Sequence, residues 1–278
     1  MYPNAKEQVA LQVAQNLMES IMARYDPSHD AFHVQRVRKT AVSIARALSA
    51  QKPDLLVVEL AALLHDVLDK KYVSETEAAD PYGYFLPFFQ SLSSEHGLDL
   101  ISDGRARQIV KIIENVSWST EKKLRSAGKI DEWHRTCVEL HCVQDADRLD
   151  AIGAFGIMRC AAYSSAVNRP LHAPTGHVET AIEHFYDKLL HIQERLKTEP
   201  GKQMGAKRHQ FMVDFLDSVE NESNAEALGV YEGPYWTKFQ SFALSLPNLI
   251  LNWILPMKKV CPSTATLTLT LTLNLKLD

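Results

Sequence analysis

Apolar residues recur along this chain at steps of three and four. Ala10, Val13, Ala14, Leu17, Met18 and Ile21 make one stripe, and Val34, Val37, Ala41, Ile44, Ala45 and Leu48 make the next. A period near 3.6 marks one buried helical face, so the two stripes predict two helices. Between them, Asp26-Pro-Ser-His-Asp30 joins a proline to short polar residues that cap helices well, which predicts a turn with Asp30 as an N-cap candidate. Lys52-Pro53-Asp54 opens a third helix carrying Leu56, Leu60, Leu63, Leu64 and Val67. It is apolar on most sides and is therefore expected at the centre. Ser74 to Ser94 scatters Pro81, Gly83 and Pro87 among five aromatic residues, which predicts an irregular segment packed over the core.

Helical spacing resumes at Arg105 and runs through Ile109, Ile112, Ile113 and Val116. Ser117-Trp-Ser-Thr120 is expected to end it, with Glu121 to Lys129 as a charged loop. Glu132 to Gln144 predicts a helix leading into Asp145, and later stripes run from Val178 to Leu196 and through Met212, Phe215 and Val219. Before Gly233 no stretch alternates as a strand does. The expected fold class is all-α, a single helical domain over residues 1–225. Residues 226–278 are expected to be a non-catalytic extension, with Leu246–Asp278 an irregular appendage. Leu244 to Met257 is interrupted by prolines and asparagines, too broken for a membrane span, and Thr264 to Leu277 alternates Thr and Leu with no evident partner strand.

Composition narrows the partners. The chain has 278 residues, 46% hydrophobic and 23% charged, enough apolar material for a substantial core. A net charge of −4 gives no reason to expect nucleic acid or an anionic membrane as partner, and leaves small molecules and a homo-oligomer open. The four cysteines, Cys137, Cys142, Cys160 and Cys261, form no C-x-x-C pair, and Met1 to Gln12 has no continuous apolar run. Reduced thiols and a cytoplasmic protein are expected, with the nucleus as an alternative.

Candidate chemistry starts at His65-Asp66, at the end of the third apolar run. An imidazole beside a carboxylate offers a divalent ion one nitrogen and one oxygen ligand. His33 lies four residues before Val37, on or beside the inward stripe of the second helix. Asp145 begins the acidic run Asp145-Ala-Asp-Arg-Leu-Asp150. Taken singly, each has an ordinary structural role: His33 as a core histidine, the aspartates as an acidic helical turn, His65-Asp66 as a helix end. Taken together, two imidazoles and two carboxylates would hold one ion and leave positions for water and a substrate oxygen.

The segments Ser28-His-Asp-Ala-Phe-His-Val-Gln-Arg-Val37, Leu63-Leu-His-Asp66 and Gln144-Asp-Ala-Asp-Arg-Leu-Asp-Ala-Ile-Gly153 resemble the three motifs, H…HD…D, of the HD-domain metal-dependent phosphohydrolases. The resemblance covers about residues 5 to 220 and is strongest to the single-metal branch that includes nucleoside-triphosphate pyrophosphohydrolases. It implies an HD-domain helical bundle, with His33, His65, Asp66 and Asp145 ligating one divalent ion. Mn²⁺ is the first choice, with Fe²⁺, Co²⁺, Zn²⁺, Ni²⁺ or Mg²⁺ as alternatives. It implies that Asp69 orients water or moves its proton. Lys70, Lys71 and Arg148 are candidate polyphosphate contacts, Lys as a point charge and Arg as a fork, and His29 faces either substrate or solvent. The implied reaction converts a nucleoside or deoxynucleoside triphosphate to monophosphate and pyrophosphate. A nucleoside monophosphatase and a non-catalytic metal- or nucleotide-sensing module are the alternatives. His96, His134 and His141 lie where dinuclear relatives carry extra histidines, but no matching motif surrounds them, so a mononuclear site is expected. Lys207, Arg208 and His209 are expected on a solvated face, and Gly153 and Gly156 at close packing contacts.

Overall fold

Capping chemistry sets where the helices begin. In the computed structural model, which describes residues 2–23, 25–68, 79–173 and 179–223, α1 (Ala5–Met22) opens on Asn4. The Asn4 side chain accepts from the backbone N–H groups of Lys6 and Glu7, while Glu7 reaches back to the Asn4 N–H. Helix α2 (Ala31–Ala47) opens on Asp30, which accepts from His33 N–H at 2.8 Å. Helix α3 (Leu55–Leu64) opens on Asp54, which accepts from Leu56 and Val57. Leu56 to Leu64 are all buried, as expected of a central helix, and α3 packs against α1, α2 and two later helices, over Arg105–Val116 and Val138–Asp150. Burying each of its Leu and Val side chains contributes about 1.5–3 kcal/mol. The one charge among them, Glu59, accepts from Arg38 Nε at 2.7 Å and from the Tyr2 hydroxyl at 2.5 Å.

Two expectations about loops are corrected. Pro81 begins helix α4 (Pro81–His96) rather than breaking one: it occupies the first turn, where its missing N–H has no partner to lose, and Asp80 caps Gly83 N–H. Phe85, Phe88, Phe89 and Leu92 then form a buried helical stripe in spite of Pro87. Helix α5 (Arg105–Val116) ends at Ser117, but that serine also caps α6 (Trp118–Ser126) by accepting from Thr120 N–H, so the expected charged loop is mostly helical. Beyond it come α7 (Glu132–Thr136), α8 (Val138–Asp150), α9 (Gly153–Ala166), α10 (Ala181–Asp187) and α11 (Glu199–Ser223), with short 3-10 turns at Ser49–Gln51, Leu189–His191 and Gln193–Arg195. No strand occurs among the described residues, so the fold is all-α.

Helix α2 packs most extensively on α8 and α3, and these three helices carry the three motifs. The backbone divides into Met1–Val219 and Glu220–Asp278. Everything below concerns the first unit. The expected extension over 226–278 and its Thr/Leu stretch lie outside the described residues, and among those described no helix is long and apolar enough to cross a membrane.

Candidate metal centre

Three helix ends converge. His33 sits in the first turn of α2, His65 and Asp66 follow the last turn of α3, and Asp147 and Asp150 lie in the last turn of α8. His33, His65 and Asp66 each present a ligand atom within 4.8 Å of the others. His33 Nε2 lies 3.4 Å from Asp66 Oδ2, and His65 Nε2 lies 3.4 Å from Asp66 Oδ1. Asp147 Oδ1 lies 3.6 Å from His33 Nε2 and 3.9 Å from His65 Nε2.

These separations are long for hydrogen bonds, and they suit donors grouped around one ion. Ligand bonds of about 2.0–2.2 Å at tetrahedral or octahedral angles put donor atoms about 3–3.5 Å apart. The polar atoms bear this out. His33 Nε2, His65 Nε2 and Asp66 Oδ2 are buried without any hydrogen-bond partner, a costly arrangement for three groups in one place unless a cation satisfies them.

The opposite ring nitrogens fix the tautomers. His65 Nδ1 lies 2.8 Å from the Ala62 carbonyl oxygen, which can only accept, so Nδ1 carries the proton and donates it. His33 Nδ1 lies 2.7 Å from Asp150 Oδ2. Both lone pairs are thereby directed inward from Nε2, the usual arrangement of ligating histidines. Asp150 is in turn held by Arg36, through Nε at 2.8 Å and a terminal nitrogen at 3.0 Å, and by Arg159 at 3.2 Å.

Electrostatics agree with an electron-rich, cation-seeking centre. Burial works to lower the His33 pKa, but the hydrogen bond to Asp150 and the negative charge of nearby Asp66 outweigh burial and hold the ring above its ordinary value. Burial works to raise Asp66, yet His65 and His33 keep its carboxyl well below the usual carboxylate range. Asp150 is depressed in the same way, by His33 and Arg36 against burial.

Two candidates from the third motif face elsewhere. Asp145 is fully buried, but its carboxylate accepts from Lys197 N–H at 2.9 and 3.1 Å, and from Thr198 N–H and hydroxyl at 2.7 Å each. It holds the chain at the N-terminus of α11, where negative charge is favoured. A side chain at Gly201 would strike it, since a Cβ there would lie 2.4 Å from Asp145 Oδ2. Asp145 is therefore corrected from ligand to helix anchor. Two residues along a helix is a rotation of about 200°, which is why Asp147 faces the histidines instead.

Arg148 is likewise corrected. It is 1% exposed, and its guanidinium is spent on Glu121 and, at 2.8 Å, on the Arg195 carbonyl, so it is no phosphate contact. Those cations, Arg148 ahead of Lys197, overcome burial and hold the Glu121 carboxyl down at about 2. Burial in turn lowers Lys197 to about 8.

His29 stands at the edge of the centre, half-buried, its ring centroid 6.0 Å from that of His33 and its Nδ1 2.8 Å from Ser28 Oγ. Asp69, Lys70 and Lys71 lie outside the described residues. His134 bonds Asp131 and Asn115, and His141 bonds the His134 carbonyl, so both rings are occupied away from the triad. Arg208, expected on a solvated face, is half-buried: its side chain lies over Gly153, whose φ of +75° and 3.0 Å clearance both require glycine. Asp147, Asp150 and Arg159 are the residues that sequence reasoning missed. The available signal was the i, i+3 spacing of Asp147 and Asp150, which puts both on one helical face.

Residues 31–152 match the family model described as HD domain, which spans the three converging ends. The chain is 31% identical over 205 residues to YpgQ of Bacillus subtilis, covering 74% of this chain and 89% of that protein. It is 30% identical over 225 residues to protein L803 of Acanthamoeba polyphaga mimivirus, covering 70% of this chain and 89% of the relative. Among solved structures, YpgQ in complex with ADP superposes with a TM-score of 0.56 at 27% identity, over 78% of this chain and 96% of that one. An HD-superfamily hydrolase from Bacillus thuringiensis superposes with a TM-score of 0.58 at 28% identity, over 79% and 99%.

Proposed function

From the premise that this chain belongs to the HD-domain family, we propose that it is a metal-dependent phosphohydrolase that cleaves nucleoside or deoxynucleoside triphosphates to monophosphate and pyrophosphate. The observation that carries the reading is the set of three buried, partnerless ligand atoms, His33 Nε2, His65 Nε2 and Asp66 Oδ2, aimed into one space. HD domains bind divalent metals. Here His33, His65 and Asp66 would hold the ion, with Asp147 as the fourth side chain in place of Asp145. Such an ion supplies positive charge to a phosphoryl oxygen and acidifies water.

The chain's own residues do the rest. Asp150 and the Ala62 carbonyl hold the two imidazoles in the ligating tautomer, and Arg36 and Arg159 keep Asp150 ionised and in place. Asp69 is our candidate for orienting the attacking water or taking its proton, and Lys70 and Lys71 for meeting the phosphates. The nucleotide class is supported by the neighbouring YpgQ structure, solved with ADP.

The test is metal analysis of the purified protein, followed by a nucleotide panel with Mn²⁺, detecting phosphate and pyrophosphate separately. Pyrophosphate release that is lost with the metal in His65→Ala, and lost without loss of metal in Asp69→Ala, is the expected result. Metal-loaded protein that binds nucleotide and releases neither product would mark a sensor. Phosphate from monophosphates alone would mark a phosphomonoesterase.

A further inference from the structure

Outside the metal centre, four cations converge on one carboxylate. Glu121 is buried in α6, where its Oε1 accepts from Arg125 Nε at 2.7 Å and its Oε2 accepts from Arg148. Arg195 and Lys197, on either side of Leu196, come within 3.9 Å of Oε1 and 3.8 Å of Oε2. Those separations are too long for hydrogen bonds, so both cations stand beside Glu121 without being paired by it.

The cluster carries more positive charge than it can pair. The second carboxylate acting on Lys197 is Asp145, whose oxygens are already taken by the Lys197 and Thr198 N–H groups and the Thr198 hydroxyl. His141 adds no charge, since burial lowers its pKa and its Nε2 meets the His134 carbonyl. Four cations therefore face two carboxylates, an excess of two. Donors are in surplus as well: Arg148 Nε is buried with no acceptor. Burial first, then repulsion from Arg148 and Arg125, lowers Lys197 to about 8 in spite of Glu121 and Asp145. Crowding like charges in a partly dry place is unfavourable, and a bound anion offsets it.

The cations in excess are within reach and held in place. Arg125 is exposed, and Arg195 and Lys197 are half-buried, so solutes reach all three. The Trp118 ring centroid lies 5.0 Å from the Arg195 guanidinium carbon, and such stacking keeps the fork from swinging into water. Lys197 Nζ is steadied by Gln144 Oε1 at 2.5 Å, which leaves the ammonium two further protons to donate. A planar fork and a point charge at one carboxylate suit a tetrahedral oxyanion, and an excess of two matches a dianion. We propose that Arg195 and Lys197 form a binding site for a phosphate dianion, free or as the end group of a monoester, which ties α6 and α8 to the chain entering α11. The site requires neither the metal nor hydrolysis.

Calorimetric titration of the full-length protein with inorganic phosphate, in chloride at constant ionic strength and with and without a chelator, tests this. A phosphate is expected to bind whether or not the metal is present, and Arg195→Gln and Lys197→Met each to weaken it at least about tenfold. Both side chains are partly solvated, thermal unfolding reports whether each variant is intact, and either one alone keeps the test decisive. In protein with isotope-labelled lysine, the Lys197 signal should titrate at higher pH once phosphate is bound, because the added anion favours the ammonium; a purely structural lysine would not move. Glycerol phosphate separates the two sources: tighter binding than the free ion assigns the site to an ester, equal or weaker binding to the free ion. No saturable binding, binding lost with the metal, binding unchanged in both variants, or an unmoved Lys197 signal overturns the inference.

Discussion

Asp145 and Asp147 are two residues apart on one helix, and their alanine variants should fail in opposite ways. Asp145→Ala removes a fully buried carboxylate that accepts from two backbone N–H groups and one hydroxyl. Each buried donor left without an acceptor costs about 1–3 kcal/mol. Lys197 is partly solvated and Gly201 leaves some room to relax, so the total should come to about 3–5 kcal/mol, or about 6–20 °C in Tm for a unit of this size. The folded fraction should still bind metal, because His33, His65, Asp66 and Asp147 are untouched. Asp147→Ala removes a partly exposed side chain with little packing, so stability should change by under about 1 kcal/mol while metal affinity falls. Urea unfolding with parallel metal analysis of the soluble protein separates the two. An Asp145→Ala protein of wild-type stability that has lost its metal would refute this assignment of roles.

Two further perturbations reach the surroundings of the site. Asp150→Asn weakens the acceptor that holds His33 Nδ1, and should lower metal affinity about 10–100-fold in a chelator-competition titration; unchanged affinity would show that His33 is oriented without it. Glu121, held at about 2 against an ordinary 4.5, contributes stability that is fully present above pH 4.5 and is lost as pH falls toward 2, because protonation is resisted only in the folded state. Acid titration of unfolding should therefore show a loss between pH 4.5 and 2 that Glu121→Gln flattens, its stability being already reduced at neutral pH by the unpaired Arg148.

The helices that could be read from sequence were those with one dominant face or none. The stripes of α1 and α2 gave their inward sides directly, and the unbroken apolar run of α3 gave its central place. Helix α4 was missed because Pro81 and Pro87 suggest a break, although proline costs nothing in a first turn. Helix α6 was missed because its charges suggest a solvated loop, whereas Glu121 is buried only because Arg148 comes to meet it from α8. The histidines and Asp66 were legible because the motif marks them. The aspartate of α8 was not, since Val143, Gln144, Asp145, Ala146, Arg148 and Leu149 are all buried and no polar side reveals which way the helix is turned. Long-range partners decide it: residues 195–198 and Glu121 for Asp145 and Arg148, and His33 and Arg36 for Asp150.

That same attachment bears on where the chain can be divided. A fragment cut to residues 31–152 would keep every side chain around the ion, yet strand the Asp145 carboxylate with no amide to meet it and strip Arg148 of its carbonyl. Glu59 would also lose Tyr2. Minimal fragments for biophysical work should therefore extend from the first residues through α11, and cleavage near Leu196 should lower the Tm of the unit much as Asp145→Ala does.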